Sequence, residues 1–143
     1  MSDFTEELRR ENYEIIQVMA TAKRLSMRTL QGRRALFDNM IMILTHMKKE
    51  DDKVLDTLKK STSYHPSLKQ SLEMFKTEIE VSSKKIKSFF KKHKANDSSI
   101  ELCDDFDSLF SVLTRRIEKA ENIFYAEFDE IEKEEELLKN MIL

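Results

Sequence analysis

Apolar residues recur three or four positions apart along four long stretches of the chain, and this spacing predicts four amphipathic helices. The first stripe contains Phe4, Leu8, Ile15, Met19, Ala22 and Leu25. The second lies within 36–58, the third within 68–90 and the fourth within 106–131. Polar stretches at 26–29, 61–66 and 95–99 separate them and predict three turns.

The predicted boundaries follow from capping residues and helix breakers. Helix 1 should begin at Ser2 or Asp3, and helix 2 should run without a break from about Thr29 to Lys60. Pro66 suits the first position of helix 3, with Ser63 or His65 as its cap. Helix 4 should follow residues 95–99 and continue to about Asn140, past the ends of its neighbours.

Four amphipathic helices joined by short loops predict an all-α, up-down-up-down four-helix bundle. The composition agrees, because one Gly and one Pro among 143 residues leave few helix breakers. The length is that of one domain, so residues 1–143 are predicted to form a single unit.

Charge and hydropathy narrow the classes of partner. A net charge of -2 gives no overall attraction to nucleic acid or to an anionic membrane. No apolar run approaches the ~20 residues of a membrane span, and the N-terminus lacks the pattern of a signal peptide.

The single Cys103 fits a reducing cytoplasm, and Asp104 and Asp105 disfavour its thiolate, so we expect it to be inert. The lysines of 84–94 suit a solvated helix end, and His65 and His93 are expected to be surface residues or caps.

Each apolar stripe is interrupted by polar residues, and the interruptions fall at a comparable depth. They are Asn12 in helix 1, His46 with Glu50 in helix 2, Ser82 with Ser83 in helix 3, and Arg116 in helix 4. At ~1.5 Å per helical residue, all four lie a similar distance from the nearest predicted turn. Because buried polar groups require partners, this coincidence predicts a polar layer inside the bundle.

The order and spacing of these residues resemble the hemerythrin-like, cation-binding bundle family. That family often carries His-Leu-x-x-Glu-Glu, followed by a Leu-Tyr-Pro-like trio, in helix 2 and again in helix 4. Here helix 2 reads His46-Met47-Lys48-Lys49-Glu50-Asp51, and helix 4 reads Arg116-Ile117-Glu118-Lys119-Ala120-Glu121. The resemblance implies a four-helix bundle with iron and dioxygen chemistry. Only His46 and Glu50 match its ligands, whereas Asn12, Arg116 and Ala120 stand where other ligands are implied.

Our first hypothesis is that an internal ion pair replaces the metal. Arg116 would supply the positive charge, Glu50 would accept it, and Asn12, His46 and Ser83 would complete the hydrogen bonds. The protein would then be a non-catalytic binding or regulatory module without a cofactor, acting on a protein partner that the sequence does not identify. An enzyme is not predicted, because no nucleophile and base are placed together.

Three alternatives remain open. A reduced site at His46, Glu50 and Glu121 would hold iron or another divalent cation and serve as a sensor. His46 and Glu50 could instead be an ordinary i,i+4 pair on a helix surface. The apolar end of helix 4, 137–143, would form a homodimer contact if the protein is a structural self-association module.

Overall fold

A computed structural model of the protein describes residues 2–61 and 66–142. Throughout these residues the structure is helical apart from turns, and they contain no β-strand. The helices form four long segments. The first segment is α1 (Asp3–Leu25). The second consists of α2 (Leu30–Phe37), α3 (Met40–Lys49), a π-helical stretch π1 (Glu50–Leu55) and α4 (Asp56–Ser61). The third consists of a 3-10 turn (Pro66–Leu68) and α5 (Lys69–Lys92), and the fourth of α6 (Ile100–Lys119), a π-helical stretch π2 (Ala120–Phe124) and α7 (Tyr125–Ile142).

Hydroxyl side chains cap three of the helix starts. Ser2 Oγ accepts a hydrogen bond from the Thr5 amide at 3.2 Å, as the sequence predicts for helix 1. The hydroxyls of Thr29 and Ser99 accept equivalent bonds at the starts of α2 and α6. Such caps satisfy amide groups that have no partner within the helix. The predicted caps Ser63 and His65 lie outside the described residues.

The prediction of one unbroken second helix is wrong. The chain turns at Asp38–Asn39. There the Asn39 side chain donates a hydrogen bond to the Ala35 carbonyl at 2.8 Å, and the Asn39 main-chain N–H donates to the Leu36 carbonyl. Side-chain bonds of this kind compete with the helical backbone pattern. Further along, the α-helix widens into π1, so that Glu50 and Leu55, five residues apart, are both buried.

The turn between α1 and α2 brings two backbones into close contact. Ser26 has a φ of 76°, in the left-handed region, and its amide bonds to the last turn of α1. A Cβ placed on Gly32 would lie 1.9 Å from the Ser26 carbonyl oxygen. The main chains of Ser26 and Gly32 lie so close together that only glycine fits at position 32, early in α2.

His93 is buried, contrary to the surface position that we expect from the sequence. It follows the last residue of α5, as a capping residue should, but its side chain is only 2% exposed. Its Nδ1 lies 2.7 Å from an Asp97 oxygen and its Nε2 lies 2.7 Å from an Asp105 oxygen. The imidazole therefore ties the end of α5 to the following turn and to α6.

Two hydrophobic clusters form the core, and polar residues separate them. In α1, Leu8 belongs to one cluster and Ile15 to the other, while Asn12 lies between. The same division falls between Met47 and Val54 in the second segment and between Ile79 and Ile86 in the third. In the fourth segment it falls between Ile117 and Ala120, next to Arg116. The core is thus interrupted at one level in all four segments.

The fourth segment extends beyond the core, as predicted. Ile131 is its last buried residue, whereas the helix continues to Ile142. Leu137, Leu138 and Met141 are all more than half exposed on this extension. Among the helices described, none is long and apolar enough to cross a lipid bilayer.

Candidate functional site

The guanidinium of Arg116 lies in the polar layer between the two hydrophobic clusters. Its Nε donates to Glu50 Oε1 at 3.2 Å, and Nη2 lies 3.1 Å from the same oxygen. On the other side, Nη1 donates to Ser83 Oγ at 2.7 Å and to Ser82 Oγ at 3.2 Å. Asp51 Oδ1 lies 3.5 Å from Nη2 as a second, more distant counter-charge. The charge of a guanidinium that is 2% exposed is therefore balanced by two carboxylates, of which Glu50 is the closer, and solvated by two hydroxyls.

Glu50 uses its second oxygen for a different partner. The Tyr125 hydroxyl donates to Oε2 at 2.6 Å, and Asn12 Nδ2 donates to the same hydroxyl at 3.1 Å. Burial, followed by the negative charge of Glu50 and the hydrogen bond to it, raises the pKa of Tyr125 far above its ordinary value. The phenol therefore stays protonated and serves as a fixed donor.

His46 connects this buried pair to a second group of charges nearer the surface. Its Nδ1 lies 2.8 Å from Glu11 Oε1, and its Nε2 lies 3.6 Å from Glu50 Oε1. Lys49 contacts both Glu11 at 2.6 Å and Glu7 at 3.0 Å. Burial opposes ionisation of Glu11, but hydrogen bonds with His46 and Lys49 outweigh it and lower the pKa of Glu11. Glu11 is therefore a carboxylate that faces the layer from α1.

Three buried polar atoms in or beside the layer have no hydrogen-bond partner. They are Nε2 of His46, Oδ1 of Asn12 and Oδ1 of Asp51, the last of which lies 3.5 Å from Nη2 of Arg116. Unpaired buried atoms of this kind are uncommon, because they lose their hydration without gaining a protein partner. The network made by Arg116, Glu50 and Tyr125 is itself hydrogen-bonded.

The structure brings together all five residues that the sequence proposes for the polar layer. Asn12, His46, Glu50, Ser83 and Arg116 form one connected set of contacts. Ser82, which the sequence also places in the layer, accepts a hydrogen bond from Nη1 of Arg116 at 3.2 Å. Sequence reasoning missed two contributors to the same network, Tyr125 and Glu11. Glu11 adjoins Asn12, and this was the available signal for it.

The two π-helical stretches explain why Tyr125 was missed. π1 begins at Glu50, four residues after His46, and π2 begins at Ala120, four residues after Arg116. In a π-helical turn the backbone bonds join residues five apart, so residues five apart come onto one side. Tyr125, five residues after Ala120, therefore faces the layer, although α-helical spacing places it elsewhere. π-helical turns occur frequently at functional sites.

A metal centre is not assembled in the part of the chain that the structure describes. Residues 2–61 and 66–142 contain no group of three His, Cys, Asp or Glu side chains that could hold a metal ion. The set His46, Glu50 and Glu121 is therefore not gathered into such a site. Glu121 is half-buried, and its main-chain carbonyl accepts a hydrogen bond from Arg9 Nη2 at 3.3 Å.

Comparison of the chain with protein-family models, with curated proteins and with solved structures gave no match. A proposal for function therefore rests on the polar layer itself. Chemically, that layer offers a fixed cation, a carboxylate whose two oxygens are both engaged, and a phenol that donates to it.

Proposed function

We propose that the chain is a hemerythrin-like, up-down-up-down four-helix bundle that works without metal, as a non-catalytic binding or regulatory module. One observation carries this proposal. Arg116 stands at the helix 4 position where the resemblance implies a histidine ligand, and its guanidinium is buried against Glu50. A permanent positive charge then occupies the place of the cation, and Glu50 keeps the role of its counter-charge.

The residues of the layer do not fit a di-iron centre. Such a centre takes several histidine and carboxylate ligands from four helices, whereas this layer holds one histidine. Both oxygens of Glu50 are engaged, one by Arg116 and the other by Tyr125. A divalent cation beside the guanidinium would also meet direct charge repulsion. We therefore derive no metal or oxygen chemistry for this protein.

The test is the metal content of protein purified without chelator from medium supplied with iron, zinc and manganese. The proposal expects less than stoichiometric metal and a thermal unfolding midpoint that is unchanged by EDTA. A matched positive control is the double variant Arg116→His with Ala120→Glu, which restores the ligand types of the second motif and should raise metal uptake. One equivalent of tightly bound metal in the unaltered protein would refute the proposal.

One observation favours a second candidate, a sensor that binds iron or another divalent cation. Nε2 of His46 is buried without a hydrogen-bond partner and is directed toward Glu50, as a ligand atom would be. This candidate predicts metal uptake that disappears in His46→Ala and also weakens in Glu121→Gln. Uptake that survives both changes would exclude the set His46, Glu50 and Glu121.

A further inference from the structure

Charge is strongly separated along the molecule, although the chain as a whole carries only -2. Residues 81–94 contain six lysines and no carboxylate. α7 contains seven carboxylates and two lysines, a net charge of -5. The polar layer uses none of the α7 carboxylates and none of these lysines as hydrogen-bond or ion-pair partners. Both charged regions border the surface seam between the third and fourth helical segments.

A basic groove occupies one end of this seam. It lies between α5 and α6 and has a volume of about 610 Å³. Phe89, Leu109 and Val112 contribute apolar surface to it, and Lys84 and Lys85 contribute positive charge. The third lysine of the groove, Lys92, is already paired with Glu101 and Asp105. The free positive charge of this basic groove is therefore that of Lys84 and Lys85.

An acidic groove occupies the other end of the seam. It lies between the start of the third segment and α7, with a volume of about 320 Å³. Leu68, Ala126 and Ile131 contribute apolar surface, and Glu127 and Glu130 contribute negative charge. Oε2 of Glu127 is buried and has no hydrogen-bond partner. Glu130 is exposed, so it carries negative charge at the surface of this groove.

Between the two grooves, the third and fourth segments carry an ion pair and exposed apolar side chains. Arg115 of α6 reaches across the seam to Glu78 of α5 at 3.3 Å. Met74 and Val81, on either side of Glu78 along α5, are 40% and 49% exposed. Exposed apolar residues with oppositely charged regions at either end are the composition of a protein interface with a polar rim.

We propose that this seam binds a second copy of the same chain in antiparallel orientation. The basic groove of each copy would then face the acidic groove of its partner, and a two-fold axis would pass near Glu78 and Val81. An interface with two-fold symmetry must be complementary to itself, and a seam with opposite charges at its two ends meets that condition. This inference does not depend on the proposed function.

The dimensions of the seam suit such a pairing. Ser108 in the basic groove and Glu130 in the acidic groove are 22 residues apart along the fourth segment, which corresponds to ~33 Å of helix. A parallel arrangement would instead place like charges together at both ends.

A charge-swap experiment on the full chain tests the proposal. Sedimentation velocity should give a dimer for the unaltered protein and monomers for Lys84→Glu/Lys85→Glu and for Glu127→Lys/Glu130→Lys. An equimolar mixture of the two variants should form a heterodimer, because both contacts then join opposite charges. The control Arg24→Glu/Arg34→Glu, which reverses two exposed charges away from the seam, should remain a dimer.

Several results would overturn the proposal. They are an unaltered protein that stays monomeric at about 100 µM, variants that remain dimeric alone, and a mixture that does not associate. A dimer that is lost on truncation after Glu136 would also overturn it, because association would then depend on the exposed end of α7. Circular dichroism verifies folding of each variant. If Glu127→Lys prevents folding, the single changes Lys84→Glu and Glu130→Lys repeat the test at exposed positions.

Discussion

Nη2 of Arg116 lies 3.1 Å from Oε1 of Glu50, and each side chain is only 2% exposed. Nε of the same guanidinium donates to the same oxygen at 3.2 Å. A charge buried without its counter-charge is strongly unfavourable, so each of these residues depends on the other. The pair therefore determines which substitutions the centre of the protein tolerates.

Replacing Arg116 by Met should lower the free energy of unfolding by about 3–5 kcal/mol, because Glu50 would be left as an uncompensated buried charge. Urea unfolding followed by circular dichroism measures the change. The control Arg34→Met removes the same charge from an exposed helical position and should change stability by less than about 0.5 kcal/mol.

The double variant Arg116→Met/Glu50→Leu should recover most of that loss. It replaces a buried ion pair by apolar side chains, an exchange that is often neutral or stabilising. A double variant as unstable as Arg116→Met alone would mean that the arginine acts through packing and not through its charge. The resulting coupling free energy is the direct measure of the pair.

Tyr125→Phe should lower the free energy of unfolding by about 1.5–3 kcal/mol, because the lost hydrogen bond is made to a charged carboxylate. The raised pKa of Tyr125 adds a pH dependence, caused first by burial and then by the charge of Glu50. The folded state holds this proton more tightly than the unfolded state. Its stabilising effect is therefore complete below the unfolded pKa of about 10 and is lost as pH rises toward the folded pKa.

Alkaline absorbance titration of the phenol provides the second measurement. Before unfolding, the unaltered protein and Tyr125→Phe should develop the same phenolate absorbance. The unaltered protein should then gain one further phenolate when it unfolds. A native-state titration that differs between the two by one phenolate would show that Tyr125 is accessible to solvent.

The polar layer could be predicted because its residues interrupt a regular apolar pattern. Asn12, Ser83 and Arg116 each replace an expected apolar side chain, and such an interruption is visible in the sequence alone. Tyr125 could not be found in this way, because π2 changes the spacing that relates sequence position to helix face. Contacts between separate helices, such as the one between His46 and Glu11, depend on helix rotation, which the pattern does not specify.

Local hydrogen bonding explains the other differences between the predicted and observed helices. The break at Asp38–Asn39 contains neither Gly nor Pro, and the apolar spacing continues across it from Leu36 to Met40. The sequence predicts a surface residue or a cap at His93, and His93 does cap α5, but two carboxylates from later in the chain bury it. Both features follow from side-chain contacts that apolar periodicity does not report.

His93 should make the stability of the protein depend on pH near neutrality. Burial lowers its pKa, but hydrogen bonds to Asp105 and Asp97 outweigh burial and raise the pKa above 6.5. Hydrogen bonds from His93 and from Ser99 in turn lower the pKa of Asp97 to about 2. The stabilisation from protonated His93 is therefore complete below the unfolded pKa of about 6.5 and is lost as pH rises through the folded value.

Urea unfolding of the unaltered protein and of His93→Gln over a range of pH measures this effect. The difference in unfolding free energy should be largest on the acidic side of neutrality and should shrink as pH rises. Asp105→Asn should weaken the same dependence, whereas Asp107→Asn, at an exposed position of the same helix, should preserve it. A difference that is constant with pH would mean that His93 acts through packing alone.

Gly32→Ala should destabilise the protein, although alanine is the better helix former by about 1 kcal/mol. The added Cβ would lie 1.9 Å from the carbonyl oxygen of Ser26 and 2.6 Å from its carbonyl carbon, so the backbone at the end of α1 would have to move. Overpacking of this kind costs about 1–3 kcal/mol. The control Gln31→Ala, at an exposed neighbouring position in α2, should remain within about 0.5 kcal/mol of the unaltered protein. Urea unfolding of the two variants distinguishes the effect of helix propensity from that of the backbone contact. A Gly32→Ala protein that is more stable than the unaltered one would contradict the close approach of α1 and α2.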